Sequence, residues 1–194
     1  AHSVAEKFDS IETDIVFTSD GVGVMSHYDI LPARCTEPGR SIHLMTLAEV
    51  ALVRCQDLAG AMTVPIPTFA ELAAILAGHP EVRLTLDLKS YPGQPRAEKR
   101  VWASRAIQLV QDAGLLPQTS ILTFYWDATL STIRKYAPNV YVLALDQGTI
   151  DLDRVRLADR LGADGFGIKM KYTSASFARY VKAKGMDSVP WEVI

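Results

Sequence analysis

Short β-type runs alternate with capped helical segments along most of this chain, and that alternation restricts the fold more than any other feature. The β-type runs cover residues 10–17, 23–27, 82–88, 120–124, 140–145, 164–168 and 188–193. Helical periodicity fills most of the gaps, with start and stop signals. Thr68-Phe69-Ala70-Glu71 and Thr46-Leu47-Ala48-Glu49 both read as capping boxes: the threonine oxygen accepts an orphan N–H, and the glutamate reaches back. The first opens a helix over 69–77. A helix over 98–113 stops at Gly114, one over 152–161 at Gly162, and one over 174–183 at Gly185. Glycine is the usual left-handed residue beyond a helix end. The helix over 129–136 stops before Pro138. Strands separated by helices must run parallel, under a helical layer, as a doubly wound sheet or a closed barrel.

At 194 residues the chain suits one domain, taken as 1–194. The formal net charge is −2 and no Lys/Arg run appears, so nucleic acid is not the expected partner. No apolar run approaches the roughly 20 residues of a membrane span. Cys35 and Cys55 lack metal-site spacing and are expected as free thiols in a cytoplasmic protein.

Asp20-Gly21 interrupts the alternation. This dipeptide between two β-type runs signals a two-residue hairpin, and such a turn forces antiparallel strands. Centred there, the turn sets Asp14 opposite His27 and Glu12 opposite Asp29. Period two then brings Glu12, Asp14 and His27 to one face, with Ile11, Ile15, Val24 and Ile30 on the other. In 84–89, Leu84, Leu86 and Leu88 form a face for helices. Thr85, Asp87 and Lys89 form the opposite one, suited to a barrel interior near its mouth.

Three carboxylates and a histidine converging this way can hold a hard cation through oxygen and leave the imidazole for proton transfer. The plainer reading makes Glu12 and Asp14 solvated strand charges and pairs Asp87 with Lys89. His2, His43 and His79 read as terminal, loop and helix-end residues. Asp164-Gly165-Phe166-Gly167 lacks a nucleotide fingerprint's spacing. Tyr125, Trp126 and Trp191 read as core or pocket walls, Trp191 standing out because it ends the last strand.

Ser10-Ile-Glu12-Thr-Asp14-Ile-Val and Asp20-Gly21-Val-Gly-Val24-Met-Ser-His27-Tyr-Asp29 together resemble the glycerophosphodiester phosphodiesterase pattern of Glu-x-Asp, Asp-Gly-x-x-Val and His-Asp. Arg34-Cys35-Thr36, Thr46-Leu-Ala-Glu49 and Ile66-Pro67-Thr68-Phe-Ala-Glu71 are similar to further segments of that family. So are Asp87-Leu88-Lys89, Thr123-Phe124 and Trp191-Glu-Val193, in the same order along the chain.

The resemblance implies a TIM-type (β/α)8 barrel of the phosphatidylinositol-phospholipase-C-like kind. A small helical insertion, about 30–65, would follow the His-Asp strand and cap the mouth. It implies Glu12, Asp14 and Asp87 as ligands of one Mg²⁺ or Ca²⁺, and His27 as general acid/base. Lys89 would meet the phosphate of a small glycerophosphodiester, with Trp191 also on the substrate. The products would be glycerol 3-phosphate and an alcohol.

Asp87 stands where the family has Glu, one methylene shorter. The family's opening His-Arg strand is not found, and His2 lies too near Glu12 to stand in for it, so the first barrel strand is expected to be absent. Two other readings accompany the first. The segment around Glu12 and Asp14 also resembles sphingomyelinase-D-like phospholipases, which would carry a cysteine-bridged loop near His27. A barrel without its His-Arg strand could instead be a non-catalytic binding protein.

Overall fold

The computed structural model describes residues 8–56, 63–148 and 150–191. His2, on which the expected absence of the first strand turns, and the end of the last β-type run, 192–193, lie outside the described residues. Strands β1 (Ser10–Phe17) and β2 (Gly23–Met25) form the antiparallel hairpin. The two-residue strands β3 (Cys55–Gln56) and β4 (Thr63–Val64) pair separately. Then follow β5 (Arg83–Leu88), β6 (Thr119–Thr123), β7 (Tyr141–Asp146), β8 (Gly165–Ile168) and β9 (Asp187–Ser188). The main sheet has the order β2-β1-β5-β6-β7-β8-β9, and every neighbouring pair except β1–β2 is parallel.

Helices α1 (Leu47–Val50) and α2 (Phe69–Leu76) both carry complete capping boxes, at Thr46/Glu49 and Thr68/Glu71. Helices α3 (Arg96–Asp112), α4 (Trp126–Tyr136), α5 (Leu152–Leu161) and α6 (Ala175–Ala183) each separate two parallel strands. Gly114, Gly162 and Gly185 all take positive φ just past a helix end, as expected. The core lies between these helices and the outer sheet face. Leu84, Leu86 and Leu88 are buried there with Ile121, Val142, and Trp102, Ala106 and Val110 of α3. Burying a large apolar side chain contributes about 1.5–3 kcal/mol each, and this face secures the strands that carry polar groups on their other side.

The hairpin register departs from expectation by one residue. Ile15 pairs with Met25, Val16 with Val24 and Phe17 with Gly23. The loop holds three residues, Ser19-Asp20-Gly21, not two. Thr18 N–H bonds to Val22 O at 3.0 Å, and Gly21 takes φ +84°. A turn followed by a left-handed glycine is the favoured three-residue hairpin loop. Two side chains select it. Thr18 Oγ1 donates to Asp20 Oδ1 at 2.6 Å and accepts from Val22 N–H at 2.9 Å. Asp20 also accepts from Leu47 N–H at 3.0 Å, tying the turn to α1.

The slip moves side chains. Ser26, not His27, meets Asp14, through a 3.1 Å bond from Ser26 N–H to Asp14 O. Ile15 and Val24 fall on opposite faces, and Ile30 is exposed. Asp29 leaves the sheet altogether.

Among its described residues the 30–65 insertion is mixed rather than helical. It contains a 3₁₀ turn at Ile42–Leu44, α1, and the β3–β4 ribbon. Cys35 and Cys55, expected as free thiols, are joined as a disulfide. They sit on a β-bridge that faces them across the insertion, a relation that sequence spacing does not show.

Candidate active site

Parallel pairing of β1 with β5 sets Glu12 beside Thr85 and Asp14 beside Asp87. Register partners share a face, so the three carboxylates stand together on the side away from Leu84, Leu86 and Leu88. One oxygen from each of Glu12, Asp14 and Asp87 lies within 4.8 Å of the others. The cluster sits toward the carboxyl ends of the parallel strands, where α/β folds gather their chemistry.

Burial grades across the cluster. Glu12 is exposed, Asp14 is half-buried, and Asp87 is 3% exposed. Burial pushes the Asp87 carboxyl up to about 7; Lys89 opposes the rise, and Asp14 and Glu12 add to it. Glu12 is also raised, by partial desolvation first and by Asp14 second, against the pull of Lys89. Asp87 Oδ1 is buried and finds no hydrogen-bond partner among the described residues.

Lys89 follows β5, and its ammonium bridges the acids. It lies 2.8 Å from Asp14 Oδ1 and also contacts Asp87 Oδ2. Burial works against its charge, but Asp87 and Asp14 outweigh it and hold the ammonium above its ordinary pKa. An acid set with a buried orphan oxygen, met by the Lys89 ammonium, suits a hard divalent cation. Glu12, Asp14 and Asp87 offer the oxygen donors that such an ion takes.

Beyond Lys89 opens a cleft of about 530 Å³, lined among others by His27, Tyr28, Phe124, Tyr125, Lys169 and Trp191. His27 is exposed on its wall, with its ring edge-on to Tyr28 at 4.3 Å. Trp191 forms a bridge pair with Lys169 and donates its indole N–H to Asp146 O at 3.1 Å. Its ring meets Phe124 at 5.0 Å. Close approach builds this end: a Cβ on Gly167 of β8 would lie 2.0 Å from Val189 O, so only glycine fits. Trp126, in contrast, is fully buried core.

The structure therefore brings Glu12, Asp14, Asp87 and Lys89 together and sets His27 and Trp191 on the adjoining cleft. It separates Asp29 from them. Asp29 is buried and accepts from the His43 backbone N–H at 2.9 Å, with His43 Nδ1 2.8 Å from its other oxygen. The His43 ring stacks on Tyr91 at 3.8 Å, and Tyr91 donates to Glu98 at 2.5 Å. His43, read from sequence as an ordinary loop residue, is the piece that locks the insertion to the segment after β5. Only the His-Asp spacing hinted that Asp29 mattered. Nothing in the sequence pointed to Tyr91 or Lys169.

A family model described as the glycerophosphoryl diester phosphodiesterase family matches residues 1–193. The chain belongs to that family. It is thus an enzyme of the phosphoric diester hydrolase class, acting on glycerophosphodiesters, and its parallel strands are those of a TIM-type barrel. Solved structures share the fold. A Silicibacter pomeroyi protein carrying the same family name superposes with a TM-score of 0.85 at 22% identity, over 99% of this chain and 75% of its own. A Parabacteroides distasonis glycerophosphodiester phosphodiesterase gives 0.81 at 20% identity, over 100% and 74%. An Oleispira antarctica phosphodiesterase in complex with the product sn-glycerol-3-phosphate gives 0.80 at 17% identity, over 97% and 74%. No curated protein matches the chain.

Proposed function

We propose that the protein, as one domain over 1–194, hydrolyses glycerophosphodiesters to glycerol 3-phosphate and an alcohol with the help of one divalent cation, Mg²⁺ or Ca²⁺. The observation that carries this reading is the Glu12–Asp14–Asp87 cluster, with its buried unsatisfied Asp87 oxygen, at the edge of a cleft holding a histidine and two lysines. Similarity to the Oleispira phosphodiesterase, captured with sn-glycerol-3-phosphate, supports a small-molecule substrate.

Glu12, Asp14 and Asp87 would hold the cation, which when bound supplies Lewis-acid polarisation of the phosphoryl group. The remaining steps fall to the chain's own residues. Lys89 exchanges part of its contact with Asp14 and Asp87 for a phosphate oxygen, offsetting charge that builds in the transition state. Hydrolysis breaks one ester P–O bond and forms one to water, and the departing alkoxide needs a proton. We assign that proton to His27 Nδ1 or Nε2, and the recovery of a proton from water to the same ring. Trp191 and Phe124 close one side of the cleft and limit water around the reacting ester.

Release of glycerol 3-phosphate from glycerophosphoglycerol and glycerophosphocholine is the test, run with chelator and after adding back Mg²⁺ or Ca²⁺. Loss with chelator and recovery with either ion is the expected result. Unchanged activity with chelator removes the cation from the reading, and no product from either diester removes the activity.

The Cys35–Cys55 bridge close after His27 is one observation that favours a sphingomyelinase-D-like reading. The two capping-box segments and the family match favour the diesterase. Incubation with sphingomyelin vesicles separates the two. Among the described residues no helix is long and apolar enough to cross a membrane. A cytoplasmic location fits the disulfide poorly, since a reducing cytosol keeps thiols open, and we place the protein in an oxidising compartment.

A further inference from the structure

Asp29 and Tyr91 stand at matching places in the chain. Asp29 lies two residues after His27, and Tyr91 lies two residues after Lys89. Both stretches line the main cleft, the first through His27, Tyr28 and Asp29, the second through Lys89, Ser90 and Pro92. The proposed reaction needs the imidazole and the ammonium of these two stretches to meet one phosphodiester. Their spacing therefore depends on what ties the stretches together.

His43 supplies a tie. On one side it engages Asp29, whose side chain is only 2% exposed. Its backbone N–H bonds to Asp29 Oδ1 at 2.9 Å, and its Nδ1 lies 2.8 Å from Oδ2. Facing a carboxylate, Nδ1 carries a proton and donates it, in the neutral ring and in the charged one alike. The Ile42 N–H reaches Asp29 O at 2.8 Å, and a bridge pairs Ile30 with Ser41. Asp29 cannot turn aside without leaving buried polar atoms unpaired.

On its other side the His43 ring lies flat against Tyr91, with centroids 3.8 Å apart and planes 5° from parallel. Tyr91 is itself held by α3: its hydroxyl donates to Glu98 at 2.5 Å, and its ring meets buried Trp102 at 5.7 Å. The turn that carries His43 is rooted by Ile42 and Met45, both buried, and Met45 O accepts the Ser19 N–H at 2.8 Å. One side chain thus grips the His27 stretch and the Lys89 stretch at once.

We propose that His43 is a positioning residue of the active site: by holding Asp29 and Tyr91 together, it sets His27 at working distance from the phosphate that Lys89 meets. The proposal rests on the hydrolysis reading above and deepens it, since the proton role of His27 is taken from there. A misplacement of about 1 Å at the reacting groups can cost roughly 100-fold in rate.

The test compares two substrates on the metal-loaded protein, glycerophosphoglycerol and glycerol para-nitrophenyl phosphate. An alkoxide needs a proton to depart, whereas para-nitrophenolate leaves without one, so only the first depends strongly on where the proton donor sits. His43→Phe keeps a ring against Tyr91 and loses the Nδ1 donor. Tyr91→Leu keeps the Asp29–His43 pair and loses the stack. In each variant kcat for glycerophosphoglycerol should fall by roughly tenfold to 100-fold, and for the nitrophenyl ester by much less. The ratio of the two should move in the direction seen in His27→Ala, while the cation titration stays as in the wild type. An unchanged ratio in either folded variant, whatever its melting temperature, reduces His43 to a structural tie and overturns the proposal. Should His43→Phe fail to fold, Tyr91→Leu decides alone. No product from either ester with the wild type overturns the hydrolysis reading and this proposal with it, a result distinct from an active enzyme whose ratio ignores His43.

Discussion

Asp14 and Asp87 are register partners across the parallel β1–β5 pair, and the Lys89 ammonium bridges their carboxylates. Two acidic groups are thus fixed side by side by backbone pairing, with the Lys89 ammonium between them. Lys89 is the counter-ion of both acids; in the proposed mechanism a bound cation would release it to the phosphate. From sequence, Lys89 either pairs with Asp87 or meets substrate; the structure has the Asp87 pair and adds Asp14 as a second partner.

Lys89→Met tests both roles at once. Removing the ammonium strands two half-buried or buried carboxylates, so the metal-free protein should lose about 1–3 kcal/mol, less than a fully buried pair because Lys89 keeps some solvent contact. With metal bound the stability difference should shrink. Under the same loaded conditions kcat/KM should fall by about 2–4 kcal/mol of transition-state stabilisation, as for other lost oxyanion partners. Thermal melts with and without Mg²⁺, beside steady-state kinetics, check this. A kcat/KM close to wild type would leave Lys89 only its structural role.

Asp87 sets a pH dependence. Its carboxyl is raised by burial to about 7, against an ordinary value of 3.8. The folded metal-free protein therefore holds this proton more tightly than the unfolded chain does. Its contribution to stability is present below the ordinary value and is lost as pH climbs toward 7. Cation binding needs the ionised carboxylate, so apparent affinity should rise with pH up to about 7 and then level, with proton release below that point. Calorimetric titration of Mg²⁺ or Ca²⁺ in buffers of different ionisation enthalpy reads both effects. A flat affinity from pH 5.5 to 8 would falsify the assignment of Asp87 as a ligand.

His27→Ala should lower turnover by about 10²–10⁴-fold, the usual effect of removing a general acid/base, while leaving the metal titration unchanged. His27 does not contact the acid cluster through the hairpin pairing, because Ser26 takes that place. Loss of metal binding in this variant would make His27 a ligand rather than a proton carrier.

Periodicity and capping made most of the barrel legible. Strand and helix positions follow from Leu84-x-Leu86-x-Leu88, from the threonine–glutamate caps and from the glycine stops, because each acts through neighbours in sequence. Glu12, Asp14 and Asp87 were also legible, since period two and parallel pairing need no knowledge of the loops. Three things were not. The hairpin register depended on Thr18 and Asp20 choosing a three-residue loop, which the dipeptide Asp20-Gly21 alone does not distinguish from a two-residue one. The Asp29–His43–Tyr91 stack joins an insertion to a distant segment, and no local rule couples them. The Cys35–Cys55 pair required the fold of the insertion, because composition alone favours free thiols in a chain with two cysteines.

That disulfide gives the last prediction. It closes a loop with a sequence separation of 20 and forms part of the wall of the hollow across His27 from the main cleft. Constraining the unfolded chain over such a loop is worth about 3 kcal/mol where native geometry is unstrained. Native protein should therefore show no thiol reactive to alkylation before reduction. Replacing both residues, Cys35→Ser with Cys55→Ser, should lower the melting temperature by several degrees, by about 4 °C or less per kcal/mol for a domain of this size. The Glu12–Asp14–Asp87 cluster lies on β1 and β5, outside the bridged loop, so metal affinity should hold in the double variant. KM should rise more than kcat falls, because the loosened segment lines the hollow beside His27 and does not carry the acids. Alkylation of two thiols in the native protein would show the bridge open and remove the argument for an oxidising compartment. A metal affinity that fell together with stability would show instead that the insertion supports the acid cluster directly.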